Sequence, residues 1–224
     1  TDSSPMGYAN QSKTPTKTTL LEAVNICLQN IGEQPVNTLE NQQLVEATMA
    51  ETTILEFHKE GQIRGWSWNT EELYPFTKNA SNEIEVPTNV VSWSPDAYEW
   101  AGRFQLRGQR VYDTENRTYA ITDSTLTELK ADVTWLLTWD ECPEAFNRWV
   151  TIRSARVFSD RVLSDDSIFK YTALDESNAL TELQRVELEQ ADANSLTGGP
   201  GLNPFSTYSP GLGLLGRNRG YIRG

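Results

Sequence analysis

Cysteine, histidine and methionine are scarce in this chain of 224 residues, which holds two, one and two of them. A single histidine excludes a multi-histidine metal centre, and no C-x-x-C spacing exists from which to build a zinc or redox site. Cys27 and Cys142 stand alone in sequence. They read as buried small hydrophobes in a reducing compartment, not as a disulfide framework. Basic residues are short as well, 19 against 31 acidic, which leaves a formal charge of −12. That deficit argues against docking on duplex phosphate or on anionic lipid, since both need a basic face. No run approaches the roughly 20 apolar residues of a membrane span. Thr1 to Lys17 is Ser/Thr-rich and has no apolar segment of the kind a signal peptide carries. Without such a signal, the N-x-Ser/Thr triplets at Asn10, Asn79 and Asn116 read as chance matches.

What remains is a globular composition. Apolar residues make up 38 % and charged residues 22 %, enough to bury a sizeable core in one large domain or two small ones. Four zones emerge along the chain. Residues 1–17 read as a flexible N-terminal arm.

The second zone, 18–65, is a helical pair. Thr19 and Glu22 have capping-box spacing ahead of Leu20, Leu21, Val24, Cys27, Leu28 and Ile31, which recur at three- and four-residue intervals. Gly32 and Pro35 end this helix. A second periodic segment runs from about Glu40 to Arg64, with Leu44, Ala47, Thr48, Glu51, Ile54, Leu55 and His58 on one side.

In the third zone, 66–141, the period changes to two. Trp66 and Trp68, Leu73 to Phe76, Ile84 to Val86, Val90 to Trp93, Phe104 to Leu106, Arg110 to Tyr112, Tyr119 to Ile121 and Val133 to Trp139 read as short antiparallel strands between turns. Six of the seven tryptophans fall here, and large aromatics suffice to pack a small β-domain without any ligand.

The fourth zone, 142–194, returns to helix. Pro143 and Glu144 start a segment with Phe146, Trp149, Val150, Val157 and Phe158. Asp165 or Asp166 then caps a long polar helix whose thin stripe passes through Phe169, Leu180, Leu183 and Leu188. A helix so thinly striped is expected to project or to lie on a neighbour. The fold class is therefore α+β, a helical bundle with an inserted antiparallel β-domain and an extended C-terminal tail.

That tail, 195–224, has eight glycines, three prolines, no acid and three arginines. It cannot form a core, yet it carries anchors that a plain flexible linker lacks. Phe205, Tyr208, Leu214, Leu215, Arg217, Arg219 and Tyr221 are the candidate partner-binding residues, in a peptide that orders on another surface.

Few motifs point to chemistry. Gly211-Leu-Gly213-Leu-Leu-Gly216 spells G-x-G-x-x-G, but the chain offers neither a following helix nor an acid about 20 positions on, so no dinucleotide site is expected. His58 lies among Glu56, Lys59 and Glu60 and reads as a structural histidine. Glu71 with Glu72, or Asp140 with Glu141, near Trp93, Trp100 and Trp139, sketch a carbohydrate-binding or glycan-hydrolysing alternative. Arg148, Arg153, Arg156 and Arg161 spread around their helix, which fits ion pairs between helices or subunits better than a nucleic-acid stripe. No catalytic, cofactor or metal residue is assigned.

The order of several motifs carries a resemblance. Leu21-Glu-Ala-Val-Asn25, Ile31-Gly-Glu-Gln-Pro-Val36, Arg64-Gly-Trp66-Ser-Trp68-Asn-Thr-Glu71, Arg110-Val-Tyr-Asp113 and Cys142-Pro-Glu-Ala-Phe146-Asn-Arg-Trp149 followed by Ala155-Arg-Val-Phe158 resemble the tail tubular protein A family of short-tailed bacteriophages across about residues 18–195. The arm and the glycine-rich tail lie outside it. The resemblance implies a structural virion protein and no enzyme. It implies an adaptor ring, usually a dodecamer, between the capsid portal and the tail nozzle (tail tubular protein B). Genomic DNA would pass through the lumen without specific binding, and tail fibres would attach nearby. Assembly in the bacterial host cytoplasm, with no membrane anchor and no cofactor, completes the expectation.

Overall fold

The computed structural model describes residues 16–40, 44–96, 100, 102–162 and 171–197. Among them the chain forms helices and antiparallel sheets in the order α, β, α expected for an α+β protein. Helix α1 spans Leu20–Asn30 and α2 spans Val45–Gln62. Strands β1 (Thr70–Thr77), β2 (Val90–Pro95), β3 (Phe104–Arg107), β4 (Arg110–Asp113) and β5 (Glu128–Trp135) follow. Helices α3 (Glu144–Val162) and α4 (Ala173–Thr197) close the order.

Local chemistry explains the helix ends. Thr19 caps α1 through the Glu22 amide while the Glu22 carboxylate takes the Thr19 amide. Gly32 then adopts φ +82°, the left-handed state that only glycine enters without cost. Thr172 and Asp175 repeat the reciprocal cap at α4, so this helix starts at Ala173. Asp165, Asp166 and Phe169 lie outside the described residues.

One apolar core unites the helices. Val24, Cys27 and Leu28 of α1, Ala50, Ile54 and Phe57 of α2, Phe146, Trp149 and Phe158 of α3, and Leu183 of α4 are buried together. Each of the larger side chains contributes about 1.5–3 kcal/mol by leaving water. The buried face of α2 differs from the expected stripe. Ala47, Ala50, Thr53, Ile54, Phe57, His58, Gly61 and Gln62 point inward, while Thr48 and Leu55 are exposed and Glu51 is half-buried. Small residues decide this, because Ala47, Ala50 and Gly61 let neighbouring helices come close where a leucine stripe would hold them apart. Helix α4 lies along α3 of its own chain through Ala179, Leu180 and Leu183 instead of projecting at its start.

The β-zone has its own core of Phe76, Ile84, Val86, Phe104, Val111, Ile121, Leu129, Ala131 and Val133. Its main sheet is ordered β1-β5-β2, all antiparallel, and β3 pairs with β4 in a separate hairpin next to β2. Three expected strands resolve differently. Trp66 and Trp68 form a turn, because Gly65 takes φ +73° and the Asn69 side chain accepts the Trp66 amide at 2.7 Å. Ile84–Val86 meets β4 through the single bridge of Glu85 to Arg110, and Tyr119–Ile121 forms no strand: Thr118 just before it bridges Asp113, and the Ile121 amide donates to the Asn82 carbonyl at 2.8 Å. The last strand is Glu128–Trp135, where Leu129, Ala131 and Val133 alternate inward; the chain leaves it before Leu137. Tryptophan packing is divided accordingly. Trp66, Trp68 and Trp139 pack on the helical core, while Trp93, Trp100 and Trp135 stay with the β-core.

Candidate assembly surfaces

The helical and β layers are locked by two buried amides. Gln62, 1 % exposed, ends α2. Its Oε1 accepts the Leu137 amide at 2.7 Å, and its Nε2 donates to the Leu137 carbonyl at 3.1 Å and to His58 Nδ1 at 3.1 Å. Asn69 accepts from the Trp66 amide and donates to the carbonyls of Gln62 and Trp135. Every polar atom of both side chains is used, so the sheet has one fixed attitude toward the bundle.

His58 is structural, as its sequence context indicated. Gln62 Nε2 lies 3.1 Å from His58 Nδ1 and 3.4 Å from His58 Nε2, and His58 Nε2 faces Cys142 Sγ at 3.4 Å. Burial pushes the imidazole down to about 4 and the Cys142 thiol up to about 12. A neutral imidazole beside an un-ionised thiol is no nucleophilic pair. Cys27 is likewise buried and raised to about 12 by desolvation.

Three of the four α3 arginines make the expected interhelical pairs. Arg153 reaches Glu60 at 3.0 Å and Glu176 at 3.8 Å, Arg156 reaches Glu176 at 2.8 Å, and Arg161 reaches Glu56 at 3.7 Å. Glu176 thus ties α4 to α3. Arg148 is exposed on the same helix.

The carbohydrate alternative requires two facing carboxylates beside an open aromatic face, and the described residues do not assemble one. Trp139 is buried and donates from Nε1 to the Thr18 carbonyl. Trp93 packs edge-on against Phe76, and Trp100 lies between Phe104 and Arg103. Glu141 caps the Thr138 turn, and Glu71 and Glu72 stand exposed on β1. A depression of about 280 Å³ at Trp100, Thr125, Leu126 and Lys130 includes one carboxylate, Glu128, and Lys130 holds it at 3.7 Å. Among the described residues no group of three metal-ligating side chains converges, and no helix is long and apolar enough to cross a membrane.

Surface features missed in the sequence lie on the β-zone. Arg107 stacks over Tyr112 and Arg110 over Tyr119, with guanidinium carbons 3.6 and 4.5 Å from the ring centroids. Asp113, 1 % exposed, is held by Arg103 at 3.0 Å. Burial alone would raise its carboxyl, but Arg103, Asn116 and Glu115 hold it below the ordinary range. The symmetric Arg107-Gly-Gln-Arg110 turn was the available signal for the arginine pair. Phe205, Tyr208, Leu214, Leu215, Arg217, Arg219 and Tyr221 all lie outside the described residues, as do Gly211 to Gly216.

The sequence matches the family model for tail tubular proteins over residues 21–193, from the first turn of α1 to the last turns of α4. A search of curated proteins found no match. The two packed layers, their amide lock and the surface arginines described above all fall inside the matched span. On that match the chain belongs to the tail tubular protein family, structural components of the bacteriophage tail.

Proposed function

We propose that this chain is the subunit of an adaptor ring, a dodecamer, that joins the capsid portal to the tail nozzle and lines the channel through which DNA leaves. Tail fibres attach near the nozzle side. The family match over residues 21–193 carries this reading, together with the family's usual ring architecture. A rigid two-layer subunit supports it. Rings close through head-to-tail contacts that repeat one geometry, and a fixed angle between layers keeps that geometry constant.

The role is structural, with no catalysis and no cofactor. The formal charge of −12 per copy is multiplied twelvefold around the conduit. Acids facing the lumen repel the duplex, so DNA slides instead of sticking. The arginine-bearing segment beyond Thr197, with Phe205, Tyr208, Leu214, Leu215, Arg217, Arg219 and Tyr221, grips the portal.

The test is an oligomer mass by native mass spectrometry, with and without purified portal. The full chain is expected to give a large ring, free or on the portal. A chain ending at Thr197 keeps its fold and loses portal affinity. Full-affinity portal binding by the shortened chain defeats the role of this segment, and the absence of any ring in either condition defeats the adaptor reading itself.

A further inference from the structure

Arg107 and Arg110 face each other across the β3–β4 hairpin, on either side of the two-residue turn Gly108-Gln109. Like charges directly opposite in a ladder repel. The structure stabilises them only in part. Each guanidinium covers a tyrosine ring, Tyr112 or Tyr119, and the two rings meet edge to face at 5.0 Å. Arg110 reaches Glu83 at 3.3 Å, and Arg107 has no ion pair among the described residues. In a chain of net charge −12, this is a cationic, aromatic tip in need of an anion.

The complementary surface is on β1. The register slips between Glu71 and Tyr74, and the bulge pushes out Glu71, Glu72 and Leu73. Leu73 holds φ +54° and remains 46 % exposed, its amide fixed by Asp132 Oδ1 at 2.9 Å. An exposed leucine in a left-handed conformation costs energy twice, in strain and in hydration. Neither Glu71 nor Glu72 has an ion pair among the described residues. In the order β1-β5-β2, β1 is one edge of the sheet, and the hairpin lies next to β2 at the other.

We propose that the Arg107/Arg110 hairpin tip of one copy docks on the Glu71-Glu72-Leu73 bulge of the next copy, forming the lateral contact of the ring. Two guanidiniums meet two carboxylates, and the tyrosine pair receives Leu73. Different patches on opposite edges are what a head-to-tail, ring-closing contact needs. The inference rests on the ring proposed above and adds which surfaces close it.

Two measurements test it on the full chain. First, Arg107→Glu with Arg110→Glu, and separately Glu71→Lys with Glu72→Lys, are followed by native mass spectrometry, with circular dichroism confirming the fold. Each pair is expected to need at least about tenfold more protein for the same ring fraction, and combining the two pairs restores assembly. Second, Arg107→Cys with Glu72→Cys, in tails assembled in the host, purified and then treated with a copper–phenanthroline oxidant, is expected to give a disulfide-linked ladder on a non-reducing gel. Rings from the Arg107→Glu/Arg110→Glu variant equal to wild type, with no ladder, overturn this contact and leave the ring standing. A wild-type chain that forms no ring in assembled tails overturns both.

Discussion

Gln62 and Leu137 exchange a reciprocal pair of hydrogen bonds, side-chain amide to backbone amide, across the junction of helix and sheet. The glutamine imitates a strand neighbour at the point where β5 has ended. One side chain thereby satisfies the part-buried amide and carbonyl of Leu137.

Gln62→Leu keeps the volume and removes the exchange. It leaves the Leu137 amide and carbonyl without partners and frees His58 Nδ1. Unfolding free energy is expected to fall by about 2–4 kcal/mol, since each stranded buried group costs roughly 1–3 kcal/mol. Urea unfolding measures this, and a change within about 0.5 kcal/mol would show that the exchange contributes little.

Gly61→Ala exchanges a poor helix former for the best one, worth about 1 kcal/mol in an exposed helix. Here the added Cβ would lie 2.7 Å from Trp149 Cζ3 and 2.9 Å from Phe146 Cε2. Both rings belong to the buried core and cannot swing aside. Net destabilisation of about 1–3 kcal/mol is expected from overpacking, and a thermal midpoint at or above that of the parent chain would contradict it.

His58 sets a pH dependence. Desolvation lowers its pKa from 6.5 to about 4. Between those values the unfolded imidazole binds a proton that the folded one refuses, so stability is complete above pH 6.5 and declines as pH drops toward 4. The loss amounts to about 3 kcal/mol at most. With a single histidine in the chain, one proton resonance reports the titration. A midpoint near 6.5 in the folded protein would refute the buried neutral assignment.

The ends of α1 were legible from sequence because its caps are local. Thr19, Glu22 and Gly32 act within three residues of themselves, and the structure repeats their reading. The α3 arginines were legible in kind, since ion pairing follows from an acidic excess, but Glu176 as the shared partner of Arg153 and Arg156 depends on how α4 packs. Trp66 and Trp68 misled because alternation marks a strand only where the backbone stays extended, and the Asn69 side chain outcompetes the ladder there. Gln62 and Asn69 gave no signal at all. Their bonds to Leu137 and Trp135, which join the layers, span 75 and 66 positions and exist only once those residues arrive beside them. The arginine pair at the hairpin tip needed its register, and the partner-binding residues beyond Thr197 lie outside the described part of the chain.

The β-zone is inserted between two halves of one helical core, and this orders events on the ribosome. Every strand partner from Thr70 to Trp135 is present once Trp135 has been made. The helical core joins α1, α2 and α3 to Leu183 of α4, so α1 and α2 remain unfinished while some 120 further residues are added. Contacts of such long sequence separation form late. Nascent α1 and α2 therefore expose Val24, Leu28 and Ile54 during synthesis, and of these two layers the one begun earlier is completed later.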